Sequence, residues 1–432
     1  MSAAGTERRP LVIPVRRALL GLSALNFFLA AAQTGFGPFL PVFLTKMHWN
    51  QVDIGFALSL GTVFAIATQL PGGGVVDRIG RKRLLTALAL AATGLSALGF
   101  VLWPRPGDGF IEQVWGAQAL HAAAASVLTP AIAALTLMVC GHEGFSTQLG
   151  SNARYASIGA AAAAALLGAL ATWQSERAVF VATALLVIPA IATLGLLGGL
   201  REPLRPMRVD HPALLPRAPD APPPWTIFFR LHLHVFAVAA MLFQLANAAM
   251  LPLALNLITQ RGAGSGFLVS ATIMVPSAVV AAASPWVGRR AQLVGRRGLL
   301  LACFAALTLR GLLLALEPGP AALVAIELLD GASGAVFGMM IPLIAADLTR
   351  DTGHLNLAIG ALMLAVSLGA TISTLLAGFV FDAAGARAAF LVLAAAAAAA
   401  WCVIHALMPE TRPTATPAQA PVPAGSTAQQ MH

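Results

Sequence analysis

The chain has 432 residues, 58% of them hydrophobic and only 10% charged, and its mean hydropathy is +0.81. A water-soluble domain carries about 25% charged residues, so this composition excludes one. The net charge of +9 would suggest nucleic acid in a soluble protein, but here the arginines sit between apolar runs. They read as topology signals facing an anionic inner leaflet, and no nucleic-acid partner is expected.

Taken in chain order, the apolar runs define twelve spans. The first half gives residues 18–44, 52–74, 84–103, 110–139, 151–172 and 178–200; the second gives 235–259, 267–287, 299–316, 321–346, 355–381 and 388–408. Each is close to the ~20 residues needed to cross a bilayer. The chain therefore divides into an N-terminal tail (1–17), a six-helix bundle (18–200), a Pro/Arg-rich linker (201–234), a second six-helix bundle (235–408) and a Pro/Ala/Thr-rich tail (409–432) expected to be disordered. The first apolar run is longer than a signal-peptide core, so no cleaved leader is expected. With the N-terminus inside, the cytoplasmic segments hold 20 Lys/Arg and the opposite segments five; Arg310, within a span, completes the 26. That bias predicts a cytoplasmic (inner) membrane protein with both termini cytoplasmic. Cys140, Cys303 and Cys402 lie in or beside apolar runs without metal-type spacing, so they read as packing residues. No metal and no cofactor are expected.

Two basic turns carry the same text. Gly73-Gly74-Val75-Val76-Asp77-Arg78-Ile79-Gly80-Arg81-Lys82-Arg83 follows the second span, and Gly288-Arg289-Arg290-Ala291-Gln292-Leu293-Val294-Gly295-Arg296-Arg297 follows the eighth. The register continues: Pro130–Ala134 matches Pro342–Ala346, and Arg177–Phe180 matches Arg387–Phe390, at offsets of 215, 212 and 210 residues. Chance apolar similarity would not hold that order, so the two halves are repeats, as in secondary transporters.

Twelve spans in two repeats, with this Gly-x-x-x-Asp-Arg-x-Gly-Arg-Lys turn after the second, resemble the major facilitator superfamily over nearly the whole chain. The resemblance implies an all-α membrane protein of two six-helix bundles, related by pseudo-two-fold symmetry around a central cavity that opens alternately to either side. It implies that spans 1, 4, 7 and 10 line the cavity. It also implies a conformational latch at the cytoplasmic face, drawn from Gly73, Asp77, Arg78, Gly80, Arg81, Glu143, Gly288, Gly295, Arg296 and Asp347. Local chemistry assigns partners. Asp77 can face the positive N-terminal end of the eleventh span near His354–Asn356. Arg81 can reach Glu143, and Arg296 can reach Asp347. The second copy has Gln292 where the acid should be, so its latch should be weaker. The bland account of these arginines is topology alone, which leaves Asp77 unexplained.

The chain departs from the drug/proton antiporters of that superfamily at two places. Gln118 stands twelve residues before Pro130 where an arginine is usual, and Ile158-Gly159 is followed by alanines without the usual proline.

Ionisable side chains in mid-membrane need a partner or a function. Glu327 and Asp330 lie three apart on one helical face, and Asp330 is the repeat partner of Gln118. Asp330 lies about 15 Å along the helix from Pro320 at ~1.5 Å per residue, near the midplane. Either carboxylate is a candidate proton site if burial raises its pKa toward neutrality; Arg310 is expected to form a structural ion pair with Glu327, which favours Asp330 as the proton carrier. His121, three residues after Gln118, is the alternative proton site; packing accounts for a lone histidine equally well. Asn26 and Gln33, Gln244 and Asn247, and Gln118 place amides on helix faces, as a substrate cavity requires, and amides also hold helices together. Arg154 and Tyr155 read as an interfacial anchor or part of an inner gate.

The sequence contains no Gly-x-x-x-x-Gly-Lys-Ser/Thr loop, no His-Glu-x-x-His and no Gly-x-Ser-x-Gly, so neither an ATP-driven pump nor an enzyme is expected. The expected function is proton-coupled export of a small, amphipathic or weakly polar organic molecule. Uptake of a small solute and a non-transporting receptor of the same fold are the alternatives. The expected partners are a small-molecule substrate, the proton and membrane lipids, and the chain is expected to be a monomer.

Overall fold

The computed structural model describes residues 12–36, 39–46, 51–102, 110–174, 176–197, 223–260, 266–350 and 352–411. Its helices are α1 (Val12–Thr34), α2 (Phe39–Lys46), α3 (Gln51–Arg78), α4 (Lys82–Leu102), α5 (Phe110–Trp173), α6 (Glu176–Thr193), α7 (Leu231–Asn247), α8 (Met250–Gln260), α9 (Gly266–Leu293), α10 (Arg296–Leu314), α11 (Pro320–Leu348) and α12 (Leu355–Leu407). Short 3₁₀ turns at Leu194–Leu197 and Pro224–Phe229 complete the described structure.

Among the described residues, eight helical stretches are long and apolar enough to cross a membrane. The two longest, Glu112–Ala171 and Leu355–Leu407, run for 60 and 53 residues. Straight helices of that length would span ~90 and ~80 Å, against a hydrocarbon core of about 30 Å. Both instead fold back at a glycine. Gly141 has φ 63° and Gly385 has φ 84°, a region where a Cβ is strongly disfavoured. These glycines stand where the sequence separates the fourth span from the fifth and the eleventh from the twelfth.

The first and seventh spans are each broken, which span counting did not anticipate. Beyond α1, Gly35 and Phe36 form a turn before α2; beyond α7, Ala248 and Ala249 form a turn before α8. Pro252 lies in the first turn of α8, where it has no N–H to donate back to the Ala248 carbonyl, so it favours the break, although Pro71, Pro276 and Pro342 sit inside helices that continue. Pro38 stands in the corresponding place of the first repeat, four residues after Thr34, although Pro38 itself lies outside the described residues. The freed Ala249 amide donates to Ser373 Oγ on α12 at 3.1 Å. A broken helix is tolerated at membrane depth when protein groups satisfy its backbone in this way.

The two halves meet through paired crossings. α3 packs on α12, and α5 on α9. At the first, a Cβ on Gly73 would overlap the Asn356 carbonyl oxygen, and one on Gly360 would lie 2.5 Å from that of Gln69. At the second, a Cβ on Gly288 would lie 2.5 Å from the Ser146 oxygen, and one on Gly150 2.5 Å from that of Ser284. Close backbone approach of this kind needs small residues, and here it seals the end of the molecule that carries the two basic turns. Gly159, unaccompanied by proline, packs against the Phe27 carbonyl.

Candidate functional site

At the sealed end, Asp77 caps a helix that is not its own. Its Oδ1 accepts the Asn356 backbone N–H at 3.1 Å and the Asn356 side-chain amide at 2.6 Å, while Oδ2 accepts the Leu357 N–H at 2.8 Å. Those N–H groups belong to the first turn of α12, which has no internal acceptor for them. A carboxylate there is also favoured by the helix dipole. Burial raises the Asp77 carboxyl above the ordinary carboxylate range; the Leu357 and Asn356 donors and the Lys82 ammonium oppose that rise. The expectation that Asp77 faces the start of the eleventh span thus matches the geometry.

The corresponding contact in the second repeat runs through Gln292, whose Nε2 donates to the Glu143 carbonyl near the start of the helix that follows Gly141. One neutral bond replaces three bonds to a carboxylate. Arg296 pairs with Asp347 at 3.0 Å as expected and also reaches the Ala291 carbonyl at 2.6 Å. The expected Arg81–Glu143 contact is absent: both side chains are exposed, and no ion pair joins them among the described residues. The physical reason lies in Gln292, which holds Glu143 by its backbone and leaves the carboxylate directed to solvent. Arg78 and Gly80 are likewise exposed.

Glu410 was not foreseen. Its carboxylate accepts the Arg296 N–H at 2.8 Å and the Arg297 N–H at 3.2 Å, capping α10 just beyond Gly295, whose φ is 96°. Thr411 Oγ1 lies 3.5 Å from Asp347 Oδ2. The first residues of the tail expected to be disordered are therefore docked, because the open end of α10 needs an acceptor; residues 412–432 lie outside the described set. Arg83 and Arg230 serve helix C-termini in the converse sense, donating to the Leu197 and Leu348 carbonyls at 3.1 and 2.7 Å. A neutral network, also unforeseen, ties α1 to both arms of α5: Gln148 donates to Asn152 at 2.9 Å, Asn152 to Thr136 at 3.0 Å, and Ser23 lies 3.3 Å from Ser151.

Within the second half, α7, α10 and α11 bring charge into the protein interior. The Arg310 guanidinium is 1% exposed, Glu327 0% and Asp330 24%. Arg310 Nη2 donates to both Glu327 oxygens, at 3.0 and 2.8 Å. Its Nη1 donates to Asp330 Oδ1 at 2.7 Å and to Asn247 Oδ1. This corrects the expectation that Asp330 lacks a fixed cation: one guanidinium serves both acids. Residues three apart on a helix lie side by side, so a planar fork with several donors can hold both. Two carboxylates facing one guanidinium leave one negative charge in excess, and Asp330 is the member that remains accessible.

The other candidates are dispersed. His121 is stacked on Phe36 with centroids 3.8 Å apart, and its Nδ1 is buried without a hydrogen-bond partner. That arrangement is packing beside the break in the first span. Gln118 is buried, with its side chain lying over Gly61. Asn26 spends its amide on the Leu22 carbonyl of its own helix at 2.8 Å, whereas Gln33 and Gln244 are partly buried. Arg154 and Tyr155 are exposed, in keeping with an interfacial anchor.

Two broken spans, a repeat-related pair of glycine crossings and a charged cluster between helices define a membrane transporter built from two bundles. The sequence description of the Major Facilitator Superfamily matches residues 22–325 and 236–428. The chain belongs to that superfamily. It is 35% identical over 404 residues to an uncharacterised MFS-type transporter of Mycobacterium tuberculosis strain CDC 1551 / Oshkosh, a match covering 91% of this chain and 94% of the relative. A chain of strain ATCC 25618 / H37Rv matches to the same extent. The fold is similar to that of a human organic anion transporter (TM-score 0.69, 15% identity, covering 92% of this chain and 100% of the other). It is also similar to a proton:xylose symporter (TM-score 0.70, 13% identity, 92% and 96%) and to the E. coli fucose:proton symporter (0.68, 17%, 92% and 99%). The protein is an integral, multi-pass membrane protein with the two-bundle fold of this superfamily.

Proposed function

We propose that the protein is a monomeric, proton-coupled exporter of a small amphipathic organic molecule, working by alternating access in the cytoplasmic membrane with both termini inside. The observation that carries the reading is the Arg310–Glu327–Asp330 cluster. Its excess negative charge is costly in a low-dielectric interior and is relieved when one monovalent cation binds. A proton is the smallest such cation, and Asp330 is the accessible acceptor. The carboxylates act as a pair with one proton between them rather than as independent sites. The sealed basic-turn end, held by Asp77, supports a conformation closed towards the cytoplasm. The apolar setting of the two bundles favours a substrate with few hydrogen-bonding groups.

The test is a pH-jump flux measurement on reconstituted protein with a panel of amphipathic compounds. Outward movement driven by an inward proton gradient is expected. Accumulation in the direction of the proton gradient would replace export with uptake, and binding without movement of any compound would replace transport with a receptor role.

A further inference from the structure

The charged cluster and the break in the seventh span share one residue. Asn247 is the last residue of α7, and the helix stops at Ala248–Ala249 before α8 resumes at Met250. Its side-chain oxygen accepts from Arg310 Nη1, the same nitrogen that donates to Asp330 Oδ1 at 2.7 Å. The two hydrogens of Nη1 are thus divided between Asn247 and Asp330, and those of Nη2 between the two Glu327 oxygens. On the far side of the break, the Ala249 amide is anchored to Ser373 Oγ at 3.1 Å.

Neutralising Asp330 alters only the Nη1 side of this arrangement. The guanidinium charge is then balanced by Glu327 alone, and the attraction holding Nη1 towards Asp330 falls. The remaining acceptor on that nitrogen is Asn247, so movement of Arg310 is delivered to the end of α7. A proline-broken turn has fewer internal hydrogen bonds than a helix and is the element there able to absorb it.

We propose that Asn247 is a positioning residue that transmits protonation of Asp330 to the tilt of α8 about the Ala248–Ala249 turn, with Ser373 as the fixed support. The proposal rests on the reading of Asp330 as proton carrier. Among the described residues, Arg310 from α10 and Glu327 on the same helix are the charged groups that meet Asp330. α7 contributes the neutral Asn247, and α9 brings Pro276 and Val279 against Gly331. Among the described residues, neither α5 nor α12 contributes an ion pair to Asp330.

The experiment is a double-mutant cycle on the full chain in lipid nanodiscs, read by hydrogen exchange of amides 248–253 at one pH. Asp330→Asn imitates the protonated carboxyl. It is expected to change exchange in that segment several-fold in the wild-type background, and the change should disappear when Asn247→Leu is also present. Flux supplies the second readout: Asn247→Leu should flatten the pH profile of flux relative to its own maximum, and Asn247→Gln, which restores an amide oxygen, should recover it. Asn247→Ala replaces the leucine variant if the latter does not fold. An undiminished response of 248–253 to Asp330→Asn in the Asn247→Leu background, or a normal pH profile in that variant, overturns the link alone. Unchanged pH-driven flux in Asp330→Asn overturns the proton-carrier reading and the link with it.

Discussion

At the residue scale, the Arg310 guanidinium joins α7, α10 and α11, and Asp330 is the member of its cluster that stays partly exposed. Removing Arg310 leaves the buried Glu327 and the partly exposed Asp330 without their cation, whereas removing either acid leaves a neutral pair. Arg310→Gln is therefore expected to cost about 3–5 kcal/mol and Glu327→Gln about 1–3 kcal/mol. The yield of folded protein and its melting temperature in detergent check this ranking; equal losses would contradict it. Depth along a single helix identified Glu327 and Asp330 from the sequence, and Arg310 was legible as an arginine inside the preceding span. It could not show how far the guanidinium reaches sideways, so the sharing of Arg310 between both acids was hidden. Asp77 is a simpler case. Its folded carboxyl lies above the ordinary range, so the folded state retains a proton that the unfolded chain releases, and stability gained from this group falls as pH rises through that window. Asp77→Asn, which lacks the charge, should leave the folded yield intact near neutral pH. It should slow turnover with substrate binding retained, because an amide cannot accept from both Asn356 and Leu357. Wild-type flux in this variant would remove Asp77 from the latch.

At the scale of elements, the helix ends carry most of the information that apolar runs do not. The paired basic turns and their offsets made the repeat legible, and the position of Asp77 before the eleventh span made its partner legible. Glu410 was not, because it follows the last apolar run in a stretch whose composition reads as a tail. Its effect is that of an N-cap supplied from elsewhere in the chain. Glu410→Gln should lose one of its two backbone bonds and lower stability by about 0.5–2 kcal/mol, measured as a shift in thermal unfolding; no shift would show the contact to be idle. The breaks in the first and seventh spans were legible in principle from Pro38 and Pro252, but hydropathy averages across a proline and reports one continuous span.

At the scale of the whole molecule, the repeat is symmetric in backbone and asymmetric in charge. Asp330 is the repeat counterpart of Gln118, and Gln33 stands where Asn247 stands in the second half. One bundle thus holds the charged cluster while the other offers neutral amides, aromatic rings and His121. The Asp77 and Gln292 contacts show the reverse bias at the sealed end. The fold was legible because six apolar runs repeated once leave few alternatives; the site was only partly legible because helix rotation decides which polar groups meet. The proposed topology has its own check. Cysteines placed near positions 222 and 414 should be labelled from the cytoplasmic side, and one near 107 from outside. Labelling of position 222 in intact cells by a reagent that cannot cross the membrane would contradict the orientation.

Transport driven by a proton bound at the Arg310–Glu327–Asp330 cluster, as proposed, has a direct consequence for Asp330. The most direct measurement compares wild type with Asp330→Asn in proteoliposomes, following substrate flux under an imposed pH gradient and substrate exchange without one. Asp330→Asn is expected to lose gradient-driven flux and keep exchange. Gradient-driven flux with an unchanged pH dependence in Asp330→Asn would contradict it.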